Sequence, residues 1–261
     1  MKEADKQRAS GIFEGMTSIR AVLAAIEAGE SDRRIVRILF DETRARARGR
    51  ELSYLKAMSC KYGFPLEPAA PEVIGDMALG TTHGGLLLEA TERTIPPLTA
   101  DAVRRDLPEK PFFAMLEGIE DPYNFGYAIR SLYAAGVDAV VLSPRNWMSA
   151  AGVVCRASAG ASERCRMYLA ESAACAAVMR ELGVKIVCCD MDNSVSMYDA
   201  DLTRPIFLAV GGEKRGLSRE LLSAADTVIR LDYGRDFPAA LSAASAATIA
   251  GYEVFRQNRE V

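Results

Sequence analysis

Three short stretches combine amides, charges and glycines at spacings that could hold a ligand. DPYNFGYAIR (Asp121–Arg130) follows the apolar run FFAMLEGI and leads into a helical pattern. Asn124-x-Gly126-x-x-x-Arg130 fits the cap and first turn of a helix, with Asp121 or Asn124 as the cap and Pro122 stiffening the entry. The cap is the cheaper reading of the motif alone, and a ligand loop is the other, because Gly126 permits another chain or a ligand to approach closely. LAVGGEKRGLS (Leu208–Ser218) runs an apolar strand straight into Gly211, Gly212 and Glu213. Gly216 then precedes a helix that Ser218 can cap. Such a loop exposes backbone N–H and C=O groups, which suits an adenosine-like ligand. It has neither the G-x-G-x-x-G spacing of a dinucleotide site nor the G-K-[ST] ending of a phosphate loop, which argues against a nicotinamide-dependent oxidoreductase. LDYGRDFPAALSAASAATIAGYE begins at Leu231 and passes into a helix of small residues near Ala240, so that the sheet, a second chain or a cofactor can come close.

The elements around these stretches follow from hydrophobic period and from glycine and proline punctuation. From Phe112 onward, strands (FFAMLEGI, DAVVLSP, KIVCCD, PIFLAVGG, TVIRLD) alternate with helices, including one around SAAGVVCRASAGA and a last one, SAASAATIAGYEVFRQ. That alternation predicts an α/β domain whose mostly parallel sheet carries helices on both faces. Ligands in such sheets bind beyond the carboxyl ends of the strands, where all three stretches fall. Upstream, a helix (SIRAVLAAIEAG), a strand (RIVRILFD), a helix stopped by Gly63, a Pro-rich connection, a short helix and a strand (GGLLLEAT) make a small α/β unit. The expected organisation is residues 1–92 as that unit, 93–110 as a linker with a short helix at TADAVRRDL, and 111–261 as the larger domain.

At 261 residues and 49% apolar content the chain has enough material for two ordinary cores. Its apolar runs fall short of a bilayer span and its start is charged, so a cytoplasmic protein without a membrane segment is expected. Six cysteines without a C-x-x-C pair, and the single histidine His83, point to free buried thiols and leave little for a metal. The net charge of −3 is uneven: residues 1–62 hold 13 Lys and Arg against 9 Asp and Glu, +4, and the remainder 19 against 26, −7. Within the positive end, RRIVR and TRARARGR place seven arginines between Arg33 and Arg50. Clustered cations of this kind are either a solvated face or a contact surface for RNA backbone.

Taken in order, the motifs resemble the SpoU/TrmH family of RNA methyltransferases, within the knotted SPOUT superfamily. Asn124, Gly126 and Arg130 followed by AAGVDAVVL match the first motif. Arg156–Ala161 (RASAGA) matches an intermediate block. Gly211, Glu213, Gly216 and Leu217 match G-x-E-x-x-G-[LIM], and the ending A-x-x-x-Y-E-x-x-R-Q has a counterpart in Ala247–Gln257, with Tyr252-Glu253 and Arg256-Gln257 in place and one residue more before Tyr252. The N-terminal unit is similar to the substrate-binding domain that often precedes this catalytic domain, with His83 at a position of turn or packing character. The resemblance implies a trefoil knot, a homodimer with the active site at the subunit interface, and methyl transfer from S-adenosyl-L-methionine to a ribose 2′-hydroxyl of ribosomal or transfer RNA. It implies cofactor contacts at Leu208, Gly211, Gly212, Gly216, Leu231 and Leu241, and catalytic roles for Asn124, Arg130, Glu213 and Ser242. By position Arg130 is the family's catalytic arginine, sometimes assigned as the base; a guanidinium being a donor without an acceptor, phosphate anchoring and stabilisation of the developing alkoxide are expected instead, with Glu213 holding Asn124 or Arg130. The third motif departs from the family's S-L-N-V-S: Ala240-Leu241-Ser242-Ala243-Ala244 stands there, Ser242 replacing the asparagine. A serine keeps a donor and acceptor but loses reach and the amide's second donor. That leaves a second expectation, a weakened or inactive member acting as an RNA-binding, ribosome-associated protein.

Overall fold

The computed structural model describes residues 11–144, 150–236 and 238–259. By internal contacts these fall into two units, residues 11–94 with 150–164, and residues 95–144 with the rest from 165.

In the first unit β1 (Ile12–Glu14) passes through Gly15, at φ +75°, into α1 (Gly15–Glu27). Then come β2 (Ile35–Asp41), α2 (Gly49–Tyr62), β3 (Leu66–Ala69), α3 (Pro71–Met77) and β4 (Leu86–Ala90). The four strands lie in the order β1-β4-β2-β3, with β4 antiparallel to both neighbours and β3 parallel to β2. The α2 helix stops at Gly63 in the left-handed conformation, as a glycine after the last periodic residue predicts. Two strands are absent from the sequence reading. The β1 strand has three residues, too few for a period, and β3 carries Pro68, which an edge strand tolerates because one side of its backbone has no neighbour. Phe13, Ile19, Val22, Ile38, Leu55 and Leu88 form the core of this unit, together with Ala151 and Cys155 of α6 (Ala151–Ala157).

The second unit holds α4 (Ala100–Asp106), β5 (Phe112–Glu117), α5 (Pro122–Ala134), β6 (Ala139–Leu142), β7 (Arg166–Leu169), α8 (Ser172–Glu181), β8 (Lys185–Cys189), β9 (Val195–Ser196), β10 (Ile206–Gly211), α9 (Arg219–Ala224), β11 (Thr227–Arg230) and α10 (Ala243–Asn258). Its seven strands run in the order β7-β6-β5-β10-β8-β11-β9, and every pairing is parallel. The central strands are buried on both faces, so they read as apolar runs without alternation. The short edge strands β7 and β9 gave no such signal.

This division departs from the contiguous spans expected from the sequence in two places. Residues expected as linker belong with the second unit: Leu98 N–H donates to Leu169 O at 2.8 Å, and Leu169 N–H donates to Pro96 O at 2.9 Å. Leu98, Ala102 and Val103 sit in the second unit's core. Their apolar spacing, on a helix capped by Thr99, outweighs the proline content of the stretch. Residues 150–164, expected within the larger domain, instead join the first unit, where α7 (Ala161–Arg164) follows α6. Gly160, at φ +89°, explains the fit, because a Cβ there would lie 2.4 Å from Ala21 Cβ on α1. Among the described residues no helix is long and apolar enough to cross a membrane.

Candidate functional site

The first loop leaves β5 at Glu117 and turns at Gly118, φ +73°. Asp121 is the cap: its carboxylate accepts the Tyr123 N–H at 3.1 Å, with Pro122 in the first helical position. Asn124 therefore lies inside the first turn of α5, half-buried, with its amide taking no hydrogen bond among the described residues. Gly126 is buried in α5. Arg130 sits six residues further along the same helix, exposed and also without a partner among the described residues.

The second loop is folded on bare backbone. Gly212 N–H donates to Glu117 O at 2.7 Å, and Gly216 N–H returns to Gly212 O at 2.9 Å. A Cβ on Gly212 would lie 2.3 Å from Gly118 O, and one on Gly211 would lie 2.4 Å from the Gly216 carbonyl carbon. No side chain fits at either position, which is the physical content of the Gly-Gly pair. Gly216 adopts φ +61°, and Ser218 caps α9. Lys214 Nζ pairs with Glu120 Oε2 at 2.7 Å, joining the two loops at the surface. That pair holds the Glu120 carboxyl below the usual range.

Between these loops and the start of α10 lies a pocket of about 330 Å³, lined by Gly118, Ile119, Glu120, Asp121, Asn124, Glu213, Lys214 and Ala243. The structure thus brings Asn124 and Glu213 to one cavity wall and leaves Arg130 out of the lining. Glu213 is exposed and makes no hydrogen bond to Asn124 or Arg130 among the described residues, so the link expected from the resemblance is not made in this state.

Ser242 is the cap of α10. Its hydroxyl accepts the Ser245 N–H at 3.2 Å and lies 3.0 Å from the Ser245 hydroxyl. Leu241 N–H donates to Tyr233 Oη at 3.1 Å, fixing the end of the third loop. Leu231 and Leu241 are half-buried next to this turn. Leu208 is fully buried in mid-strand between β5 and β8, so its side chain belongs to the sheet interior and not to the pocket. Two contributors were missed from sequence. Glu117 is a lone acid closing an apolar strand, and Lys214 is one of three charges in a row, so neither carries a signal of its own.

The thiols are all free. Burial pushes Cys175, Cys188 and Cys189 up to about 12, so none is a thiolate at neutral pH. No group of three or more His, Cys, Asp or Glu among the described residues could hold a metal ion.

In the first unit the arginine cluster divides. Arg33 is buried: its guanidinium meets Glu163 at 2.8 and 3.3 Å, donates to Thr91 O at 2.8 Å and covers the Phe13 ring. It is structural, so of the seven arginines this one belongs neither to a solvated face nor to an RNA contact surface. Arg37 pairs with Glu89, Arg44 with Asp41 and Arg48 with Glu51. Arg46 and Arg50 are exposed without a partner among the described residues. Arg156 of the RASAGA block pairs with buried Glu14, whose carboxylate also accepts the Gly80 N–H at 3.0 Å. His83 has a turn role, accepting the Gly85 N–H at Nδ1, 3.1 Å.

A family model described as the SpoU rRNA Methylase family matches residues 111–252. The 23S rRNA (guanosine-2'-O-)-methyltransferase RlmB of Shewanella oneidensis is 27% identical over 205 residues, covering 76% of this chain and 80% of that one. RlmB of Bordetella pertussis is 28% identical over 200 residues, with the same coverages. Among solved structures, the AdoMet-bound rRNA methyltransferase from Sinorhizobium meliloti superposes with a TM-score of 0.79 at 20% identity, over 98% of this chain and 95% of that one. AviRb from Streptomyces viridochromogenes, in complex with AdoMet, gives a TM-score of 0.73 at 20% identity, over 99% and 96%. At such identities the two superpositions show a shared fold.

Proposed function

The chain belongs to the SpoU rRNA Methylase family, and from that premise we propose that it is an S-adenosyl-L-methionine-dependent methyltransferase acting on a ribose 2′-hydroxyl of ribosomal or transfer RNA. The observation that carries the reading is the convergence of the β5 loop, the β10 loop and the start of α10 on one pocket in which Asn124 and Glu213 have no protein partner among the described residues. The relatives' names support the reaction and the RNA substrate class, and the AdoMet-bound neighbours support the cofactor.

The residues present fit the cofactor. Gly211, Gly212 and Gly216 let the loop beside the pocket fold backbone against backbone with no side chain over it, and the acids Glu120, Asp121 and Glu213 favour a cation in the pocket. Cofactor contacts are assigned to Gly211, Gly212, Gly216, Leu231 and Leu241, with Leu208 contributing through the strand that delivers the loop. Held there, S-adenosyl-L-methionine would supply an electrophilic methyl to the hydroxyl oxygen, its sulfonium becoming a neutral thioether, and the hydroxyl proton would go to water or phosphate.

Asn124 orients the ribose through its free amide. A guanidinium offers donors and no acceptor, so Arg130 anchors phosphate and stabilises the developing alkoxide and is not the base. Glu213 aligns these two groups once RNA fills the space, since catalytic hydrogen bonds often tighten only in the complex. Arg46 and Arg50 of the first unit contact RNA phosphates.

The chain forms a homodimer through α5 and α10. The support is that Tyr123, Tyr127, Ile249, Tyr252 and Phe255 on these two mutually packed helices are 38–49% exposed, and clustered exposed apolar side chains mark interaction surfaces. A trefoil knot involving the third loop is proposed as well; α10 follows the outlying β11 yet packs on α5 and β10, as a chain returning through the fold would. Residence is assigned to the cytoplasm, with its RNA.

One observation favours the second reading, a weakened enzyme that binds RNA: the Ser242 hydroxyl is engaged as a helix cap. Calorimetry with S-adenosyl-L-methionine, and mapping of 2′-O-methyl sites in ribosomal and transfer RNA from cells with and without the gene, test the main reading. Cofactor binding and a site lost with the gene are expected. Binding with no lost site, and a large gain of transfer in Ser242→Asn, would establish the weakened form.

A further inference from the structure

The first and second loops share one side chain that belongs to neither motif. Glu117 is the last residue of β5, half-buried, and no cation pairs with it among the described residues. One carboxylate oxygen accepts the Ser218 N–H at 2.6 Å, and the other accepts the hydroxyl of Ser172, at the first position of α8. The same residue's main-chain carbonyl accepts the Gly212 N–H at 2.7 Å. The Gly211–Leu217 loop is therefore gripped at both ends by one residue, at Gly212 by its backbone and at Ser218 by its side chain.

We propose that Glu117 is a positioning residue for cofactor binding, holding the Gly212–Ser218 loop in its binding shape. This rests on the assignment of that loop to S-adenosyl-L-methionine. Beyond its own Gly216-to-Gly212 backbone bond and the buried Leu217 side chain at its end, the exposed stretch between has little to hold it. Glu213, Lys214, Arg215 and Gly216 are exposed, and the remaining side-chain tether, Lys214 to Glu120, is a surface pair of the kind that contributes little. Contacts made by main chain depend on backbone placement, so a loop free to drift loses them together. A carboxylate held by an N–H and an O–H, with Ser172 placed from a third strand end, fixes the loop against the sheet, which is the rigid part of the unit.

Chemistry separates this role from a general structural one. In Glu117→Gln the amide oxygen still accepts from Ser218 and the amide NH₂ donates to the Ser172 oxygen, so the grip is retained. In Glu117→Ala both bonds vanish and the Ser218 N–H loses its acceptor. The test uses the full-length protein, with cofactor affinity by calorimetry and transfer kinetics at varied cofactor and fixed RNA. Glu117→Ala is expected to raise both the Kd and the KM for S-adenosyl-L-methionine about tenfold, with kcat within about twofold of wild type. Glu117→Gln is expected to stay near wild type. Ser172→Ala, which keeps the Ser218 bond, is expected to lie between them and remains informative if Glu117→Ala fails to fold. Unchanged affinity in Glu117→Ala and Ser172→Ala, a fall in kcat with KM unmoved, or a Gln variant as poor as Ala would each overturn the proposal. A wild-type protein that binds no cofactor would instead overturn the functional assignment on which it rests.

Discussion

The two polar centres of the chain are built in opposite ways. Around Arg33 and Glu163 in the first unit, both side chains are almost fully buried, and each polar atom that closes the pair meets another protein group. Around Asn124 and Glu213 in the second unit, an amide and a carboxylate face a cavity and have no partner among the described residues. Burial without partners costs free energy, so folding settles such groups internally. Groups left open at strand ends have water to satisfy them and are available to a ligand. Arg33 and Arg130 make the contrast in one residue type: the first locks the fold, and the second is free to meet an anion.

The contrast can be broken by mutation. The largest effect expected is on stability in the first centre: Glu163→Ala leaves the Arg33 guanidinium buried without its counter-charge and should cost about 3–5 kcal/mol in denaturant unfolding. If the loss were below about 1 kcal/mol, the pair would not be structural. Asn124→Ala should do the reverse, lowering methyl transfer on the order of 10²-fold while moving unfolding by no more than about 0.5 kcal/mol. Gly212→Ala forces a methyl against Gly118 O and should cost about 1–3 kcal/mol, with weaker cofactor binding seen by calorimetry.

A smaller, pH-dependent effect sharpens the distinction. Hydrogen bonds from Arg256, and then from Gln257, hold the Glu253 carboxyl on α10 below its usual range. A depressed carboxyl stabilises the fold above its unfolded pKa, and that contribution is lost as pH falls through the folded value. Glu253→Gln should therefore be less stable than wild type at neutral pH, by a gap that begins to close below about pH 4. A gap that widened in acid would contradict the assignment. Smallest of all, Lys214→Ala breaks an exposed pair and should leave the melting temperature within error.

Most of the second unit was legible because buried parallel strands are continuous apolar runs and the helices between them end at glycines. The strands that escaped in the two units, β1, β3, β7 and β9, have at most four residues, one of them with Pro68. The candidate loops were legible for the same reason, lying where strands stop. Their connections were not. Asp121 as the cap, Glu117 as the tether and the Ser242 hydroxyl turned to its own helix depend on which side chains meet, and spacing leaves that open. The clearest misreading was Arg33, which as letters is one of seven arginines. Its partner Glu163 lies 130 residues away, beyond the reach of any local pattern.

The decisive measurement is methyl transfer to RNA by Arg130→Ala, with cofactor binding measured on the same preparation. If the open centre at the strand ends is the reacting site, the variant binds S-adenosyl-L-methionine within about twofold of wild type and transfers methyl on the order of 10²-fold more slowly. Transfer at the wild-type rate, with the cofactor equally bound, would contradict it.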